Sequence, residues 1–583
     1  MTAVRIGNAS GFYGDRRSAF AAMLEGGDLD YLTGDYLAEL TMLILGRDKL
    51  KDESLGYAKT FVRQLEDCLG LAVDKGVRIV TNAGGLNPAG LADRLRQIAA
   101  EQGISASIAH VEGDDLLPRA DDLGFAKALT ANAYLGAFGI AEALRGGADV
   151  VVTGRITDAS LVVGPAIAHH DWSRTDYDAL AGAVAAGHVI ECGTQATGGN
   201  VAGFEALDLT TPQGRQFGFP IAEVEASGDS VITKHPGTGG AVTLDTVTAQ
   251  LVYEIDSPAY LGPDVVARLD SLALVAEGPD RVAISGVRGS APPPQAKVCL
   301  NRLGGFRNSV EFLLTGLDID AKASLVREQL TDALSSSPPD SVEWQLERTS
   351  QPDPATQAEA TARLRCEVRS SSPEAVGRAF SGAAVELALG SIPGFTLTAP
   401  PGSGSPYGVY APAYVDQDVP EHCVVHADGS RTPIPPPPES GSMWHRSNRS
   451  QPMPHRPRDQ RALSRTTRAP LGRIAYARSG DKGGDSNVGV WVRSDHPRAA
   501  EAYDWLRTLL DEKAVRQLLP EAADLEIDVY ELPDLRAVNI VLHGLLGEGV
   551  AASTRFDPQA KAVGEWLRAR QVDVPTELLM ETP

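Results

Sequence analysis

Val77-Arg-Ile-Val-Thr-Asn-Ala-Gly-Gly-Leu-Asn-Pro88 decides how the first third of this chain is read. Val77 to Asn82 has the β-branched content of a strand, and Ala83-Gly-Gly-Leu86 breaks it. Asn87 fits a helix N-cap and Pro88 the first helical position, where a missing N–H costs nothing. The helix runs to Gln102 and stops at Gly103, and another strand covers Ser105 to Val111. The alternation extends outward in both directions. Val4 to Asn8 reads as strand and Arg16 to Glu25 as helix. Thr130 to Arg145 reads as a long helix ending at Gly146-Gly147, and Asp149 to Thr153 as a buried strand. Such alternation predicts an α/β unit over residues 1–205, a Rossmann-like, mostly parallel sheet with helices on both faces.

Beyond residue 205 the texture changes. Glu223 to Thr233, Ala241 to Ile255 and Leu272 to Val287 are rich in β-branched residues, and a helix is expected from Asp320 to Ser335. Residues 206–400 therefore read as an α+β part. Residues 401–470 contain Pro433-Ile-Pro-Pro-Pro-Pro438 and then a basic stretch with seven arginines between Arg446 and Arg468. That composition predicts a linker. Residues 471–583 read as strand, charged loop, strand, helix (Arg498 to Leu510), strand (Leu525 to Leu532), strand (Ala537 to Leu542) and a closing helix (Pro558 to Arg570). This order predicts a small α/β sandwich.

With 583 residues the chain exceeds one hydrophobic core, and its 43% hydrophobic and 22% charged content is that of a globular protein. A net charge of -23 argues against nucleic-acid or anionic-membrane partners. No apolar run approaches the ~20 residues of a membrane span, and the N-terminus lacks signal architecture. Five scattered cysteines form neither a disulfide framework nor a zinc site, which favours a reducing, cytoplasmic compartment.

Ligands of open parallel sheets sit beyond the carboxyl ends of the strands, so the loops there carry the candidate chemistry. Gly7-Asn-Ala-Ser-Gly-Phe-Tyr-Gly-Asp15 matches no nucleotide fingerprint. Asn82, Gly84 and Gly85 offer donors to an anion at a helix start. Asp35 and Glu39 have helical i,i+4 spacing, and paired carboxylates suit acid–base work. An N-cap and a surface charge explain the same pair. Arg155 and Asp158 share one strand rim. Glu191-Cys-Gly-Thr-Gln-Ala-Thr-Gly-Gly-Asn200 reads as a site wall, with Cys192 more in keeping with an inert buried thiol than a nucleophile. Lys234-His-Pro-Gly-Thr-Gly-Gly240 combines a cation, His235 and the flexible Gly237, Gly239 and Gly240, as in an anion cradle; a hydrogen-bonded structural histidine is the other reading. His110, Glu112, Asp114 and Asp115 could take a divalent ion or simply start a helix. No H-E-x-x-H or EF-hand pattern appears, so no tightly bound metal or cofactor is expected. Arg478-Ser-Gly-Asp-Lys-Gly-Gly-Asp-Ser-Asn487 joins two strand-like runs and could hold an anion through Arg478, Ser479, Asp481 and Lys482.

Taken in order, these segments resemble the acyclic terpene utilisation AtuA family. The resemblance runs through Ile6–Asp15, Asp35–Thr41, Asn82–Gly85, Gly113–Pro118, Ala131-Asn-Ala-Tyr-Leu-Gly-Ala137, Thr153–Arg155, Glu191–Gly193, Ala196–Asn200 and Lys234–Gly240. Ala477-Arg-Ser-Gly-Asp-Lys-Gly483 is similar to the hallmark of the ferredoxin-like domain that accompanies the family, at times as a separate polypeptide. The resemblance implies a place in acyl-CoA pathways that degrade branched or acyclic terpenoid acids, and it assigns no catalytic residues. Hydration, dehydration or a lyase step on an acyl-CoA would use Asp35, Glu39, Asp158, Glu191 and His235 as acid–base groups. Asn82, Gly84, Gly85, Asn200 and the 237–240 glycines would stabilise an oxyanion or phosphates. Lys234, Arg155, Arg478 and Lys482 would bind the coenzyme A phosphates or a substrate carboxylate. A homo-oligomer is expected. The alternatives are a non-catalytic acyl-CoA-binding or assembly subunit, and a nucleotide-dependent ligase or kinase, which the missing P-loop disfavours.

Overall fold

The structure is a computed structural model that describes residues 2–441 and 465–579. The chain divides into two compact units, one formed by residues 1–301, 410–550 and 559–583 and the other by residues 302–409 and 551–558.

The first unit is organised by eight strands and eight helices of its N-terminal part. In chain order these are β1 (Val4–Asn8), α1 (Ala19–Gly26), β2 (Tyr31–Gly34), α2 (Glu39–Lys51), α3 (Lys59–Lys75), β3 (Arg78–Thr81), α4 (Pro88–Gln102), β4 (Ile108–Glu112) and β5 (Ala128–Ala133). There follow α5 (Phe138–Arg145), β6 (Val150–Thr153), α6 (Ser160–His170), α7 (Tyr177–Ile190), β7 (Pro220–Val224), β8 (Ser230–Lys234) and α8 (Leu244–Leu251). Five strands run parallel in the order β1-β2-β3-β6-β4. Alternation along them separates two cores: Ile79, Val150 and Val152 point into one, Val80 and Val151 into the other. The first core is shared with α1, α3 and α4, the second with α5, α6 and α7, so helices cover both faces.

The sheet does not end at residue 205. β7 pairs antiparallel with β1, β8 with β7, and a hairpin of Ala273–Gly278 and Arg281–Ser285 extends that edge. At the opposite edge Cys423–Val425 pairs with β4, and Arg431–Pro433 pairs with it in turn. The expected linker thus contributes strands, and Ser405–Asp416 forms another. Proline content hid them: in this last strand Gly408 and Tyr410 are buried with the half-buried Val409 between them, the period of two of a strand. The arginine-rich part of that stretch over 442–464 lies outside the described residues. Thr130 to Arg145 is not one helix. Thr130 lies in β5, which pairs with the strand Gln295–Thr315, and α5 begins only at Phe138 beyond Gly136. Leu244–Leu251 is a helix despite its threonines, started by a capping box between Thr243 and Thr246.

Residues 466–579 add a four-stranded antiparallel sheet in the order Ala475–Lys482, Asp485–Val492, Ala537–Leu542, Ile527–Leu532. Helices Ala499–Leu509 and Val563–Ala569 pack into its core. The supposed charged loop is mostly strand: Arg478 pairs with Gly489 and Lys482 with Asp485. Only Gly483-Gly484 turn, with Gly483 at a φ of 67°, as a two-residue hairpin connection demands. This hairpin lies on the segment after α8. Asn487, fully buried, accepts from the Glu254 amide at 2.7 Å and donates to the Val252 carbonyl at 3.1 Å. A Cβ on Gly489 would sit 2.2 Å from Val252 Cγ2, so only glycine permits this approach. Trp491 Nε1 donates to Asp245 at 3.0 Å.

The second unit has its own core. Residues of strands Ser341–Glu347, Thr361–Ser370 and Phe395–Leu397 form an antiparallel sheet with the distal part of Gln295–Thr315. Helices Ile319–Ala333 and Arg378–Gly390 bury Val326, Leu330, Phe380 and Leu387 with these strands.

Asn487→Ala leaves a buried N–H and a buried C=O without partners. The expected cost is about 2–4 kcal/mol, read as a lower urea midpoint by tryptophan fluorescence.

Candidate functional site

Arg155 stands just past the end of β6, and its side chain is 2% exposed. A buried guanidinium needs partners for its charge, and three elements supply them while its Nε keeps none among the described residues. The carbonyl of Leu37, from the β2–α2 loop, accepts from Nη1 at 2.9 Å. Asp158 Oδ1 accepts from the same nitrogen at 2.9 Å. The Tyr134 ring lies under the guanidinium, 4.2 Å from centroid to Cζ. Asp114, beyond β4, accepts from the Arg155 amide at 2.8 Å and from Asn132 at 2.8 Å. Four strand ends are thereby tied to one residue.

Carboxyls gather around it. Asp35, in the loop after β2, accepts from Asn82 Nδ2 at 2.7 Å and from the Leu37 amide at 3.2 Å. Burial and the neighbouring charge of Asp158 hold its proton affinity well above the usual range, against the Asn82 bond. Asp158 is raised by burial, with Arg155 opposing. Glu191, at the end of α7, is 8% exposed and raised well above the usual range by burial, then by Asp158. His188 Nδ1 stands 3.1 Å from Glu191 Oε1, and burial lowers that histidine to about 4. Asp158 acts on both Asp35 and Glu191, and Glu191 on Asp35, so the proton affinities of the three are not independent.

Glu39 opens α2, whereas Asp35 precedes it in the loop, so the two do not share a helix face as their spacing predicted. They meet through Arg155. Burial raises Glu39, but Lys297 and Arg155 outweigh it and bring it down to about 2. Tyr134 donates its hydroxyl to Glu39 at 2.8 Å.

The C-terminal sheet completes the surround. Lys482 lies 5.7 Å over the Tyr260 ring, and its charge acts on Asp158, His188 and Glu191. Asp481 is pushed up to about 8 by burial, Glu254 and Glu39. Arg478, buried over the Tyr253 ring, donates to the Asn200 carbonyl at 2.9 Å and to Gln195. Lys561 donates to the Tyr253 hydroxyl and stands 3.7 Å from Glu254.

Several predicted ligands are occupied by their own chain. Arg478 is a clasp between the hairpin and residues 195–200, with Asn200 supplying only a carbonyl while its side chain is exposed. Ser479 accepts from the Gly564 amide at 2.8 Å. Lys234 is buried between the Thr238 carbonyl at 2.8 Å and Asp280 at 3.0 Å. His235 contacts the Met23 carbonyl at 2.9 Å and packs on Gly26 and Gly27, a structural histidine. Gly237, Gly239 and Gly240 serve the loop itself: a Cβ on Gly240 would lie 2.2 Å from the Thr197 carbonyl oxygen. Gly84 and Gly85 are equally hemmed in, by the Thr153 and Gly56 carbonyls. Asn82 is spent on Asp35 and the Tyr36 amide. Cys192 is no thiolate, since burial lifts its thiol well above its usual range.

His110 Nε2 stands 3.0 Å from Glu112, which pairs with Arg431, while Asp115 accepts from Leu117. These groups are bonded separately. Among the described residues, only Glu526, Asp528 and His543 form a trio with ligand atoms within 4.8 Å of one another. His543 is already gripped by Asp485 at 2.9 Å and Asp528 at 2.7 Å.

Sequence reasoning missed Tyr134, Lys297, Tyr253, Glu254, Tyr260, Tyr410 and Lys561. A tyrosine two residues after an asparagine in Ala131–Ala137 and a lone lysine in the apolar run after Gln295 were the available signals.

A mixed α/β protein with a cluster of carboxyls flanked by a small antiparallel sheet is the class these features define. Residues 4–426 match the acyclic terpene utilisation family protein AtuA, and residues 469–573 match the AtuA ferredoxin-like domain. The chain belongs to the AtuA family. No curated protein and no solved structure matches it. Among the described residues no helix is long and apolar enough to cross a membrane.

Asp114 tests the electrostatics. Burial raises it to about 7, so the folded state holds a proton that the unfolded chain releases near pH ~4. Its contribution is complete below pH ~4 and is lost as pH rises through about 7. Asp114→Asn is expected to flatten the decline in stability across that window, measured by urea unfolding at stepped pH.

Proposed function

We propose that this chain is an acid–base enzyme of branched-chain or acyclic terpenoid acyl-CoA metabolism, adding or removing water, or cleaving a carbon–carbon bond, beside a thioester carbonyl. The observation that carries this reading is the gathering of Asp35, Asp158 and Glu191 around Arg155, with Asp158 raising the hold of the other two on their protons. Neighbouring carboxyls of raised proton affinity are suited to divide the roles of general acid and base.

The environments suggest the division of labour. Asp158 faces the Arg155 guanidinium and is the member best suited to be ionised. As base it would take the proton α to the thioester. Glu191 or Asp35 would deliver a proton to a departing 3-hydroxyl, so that one water leaves and an enoyl product remains. The reverse order hydrates the double bond. Lys482 would balance the negative charge that develops near Asp158 and Glu191. The coenzyme A part of the substrate is its handle, and no resident cofactor enters the scheme.

The test is deuterium incorporation from D2O into a panel of branched enoyl- and 3-hydroxyacyl-CoA thioesters, read by mass spectrometry. Asp35→Asn and Glu191→Gln are each expected to slow exchange about 10²–10⁴-fold with an undiminished thermal midpoint. Unchanged exchange in both, with weaker thioester binding, would move the chain to a non-catalytic acyl-CoA-binding role.

A further inference from the structure

Glu191 closes α7, and its backbone is held from the parallel sheet. Asn8, buried at the end of β1, donates through Nδ2 to the Ile190 carbonyl at 2.7 Å and to the Glu191 carbonyl at 2.9 Å. The side chain is held from its own helix. His188, three residues back and 2% exposed, stands with Nδ1 3.1 Å from Glu191 Oε1. The imidazole is itself fixed by packing on the Tyr260 ring, with 4.8 Å between centroids.

One hydrogen lies between Nδ1 and Oε1, and the surroundings decide which atom carries it. Burial keeps the imidazole neutral, with Lys482 acting in the same sense and Glu254, the Tyr253 backbone and Asp158 opposing. A neutral imidazole has one N–H and one lone pair. Burial, Asp158 and Glu254 favour a protonated Glu191, against Lys482 and Arg155. A buried carboxylic O–H needs an acceptor. His188 Nδ1 is the one within hydrogen-bond distance among the described residues, because Glu191 Oε2 has no partner. The ring's own proton is then on Nε2. That atom bonds no side chain, and the Tyr253 backbone favours a proton on this ring. An ionised Glu191 would instead face the Nδ1 lone pair, so the dyad resists loss of the carboxyl proton.

Asp35 is built the other way. Its Oδ1 accepts from Asn82 Nδ2 at 2.7 Å and from the Leu37 amide at 3.2 Å, two donors that favour the carboxylate against the effect of burial.

We propose that His188 is the positioning residue of Glu191, holding its carboxyl in place and protonated through Nδ1, and that Glu191 rather than Asp35 is the proton donor. This rests on the acid–base reading and settles a role that reading leaves to either carboxyl. The departing hydroxyl oxygen takes the proton from Glu191 as its C–O bond breaks, water leaves, and the Glu191 carboxylate remains.

The resting full-length protein is titrated by infrared spectroscopy, following the protonated-carboxyl band that Glu191→Gln removes. That band is expected to persist near neutral pH. In His188→Leu its midpoint is expected about one unit or more lower, the worth of one hydrogen bond to an ionisable group. His188→Asn, whose amide oxygen can take the place of Nδ1, is expected to restore it. In the deuterium-exchange assay His188→Leu is expected to slow turnover about tenfold or more at an unchanged half-saturating thioester concentration. An ionised Glu191 near neutral pH, or a midpoint that His188→Leu leaves in place or raises, overturns the proposal. A midpoint that moves as stated in a chain that exchanges no deuterium upholds the dyad and sinks the enzyme reading, so the two fail separately.

Discussion

Burial of one guanidinium constrains the rest of this molecule. Arg155 has almost no access to water, so its charge must be answered from within. The answers come from the loop after β2, the loop after β6, and a tyrosine that follows β5. Three separately folded stretches are thereby brought into one place with a fixed spacing. The carboxyls that accompany them are then desolvated together, and their raised proton affinities follow from that shared burial. The parallel sheet supplies the platform, and Arg155 specifies what is built on it.

The small C-terminal sheet belongs to the same design. Its first hairpin reaches over the segment after α8, and Asn487, Arg478 and Lys561 each bond to residues of the larger part. Glycine at 489 removes the side chain that would hold the surfaces apart. Asp481 and Lys482 are thus placed among carboxyls more than two hundred residues away in sequence. The second unit, formed around residues 302–409, contributes none of the groups discussed here.

Much of this was legible in the sequence, for physical reasons that differ by region. The run from Val77 to Gly103 announces strand, cap, proline and glycine stop in the order that local chemistry requires, and each lies where it was expected. Asp35, Asp158 and Glu191 were visible because each stands in a polar loop after an apolar element. What failed was reading pairwise or compositional cues without the tertiary partner. The i,i+4 spacing of Asp35 and Glu39 carried no helical meaning, because α2 starts at Glu39. Lys234 and Arg478 looked like waiting cations, and Asp280, Thr238, Gln195 and Asn200 had already claimed them. Tyr410 was lost inside a proline-rich stretch that reads as a spacer, yet it is buried against a hairpin that begins 65 residues later. The long-range partners of a side chain are what a local pattern cannot contain.

The carboxyl cluster is set by residues as far apart in sequence as Asp35 and Lys561. During synthesis the early carboxyls emerge long before Lys482 and Lys561 exist to balance them. A chain that stopped before Ala475 would hold the acids without either cation, so their proton affinities are fixed only once the C-terminal sheet has folded onto them.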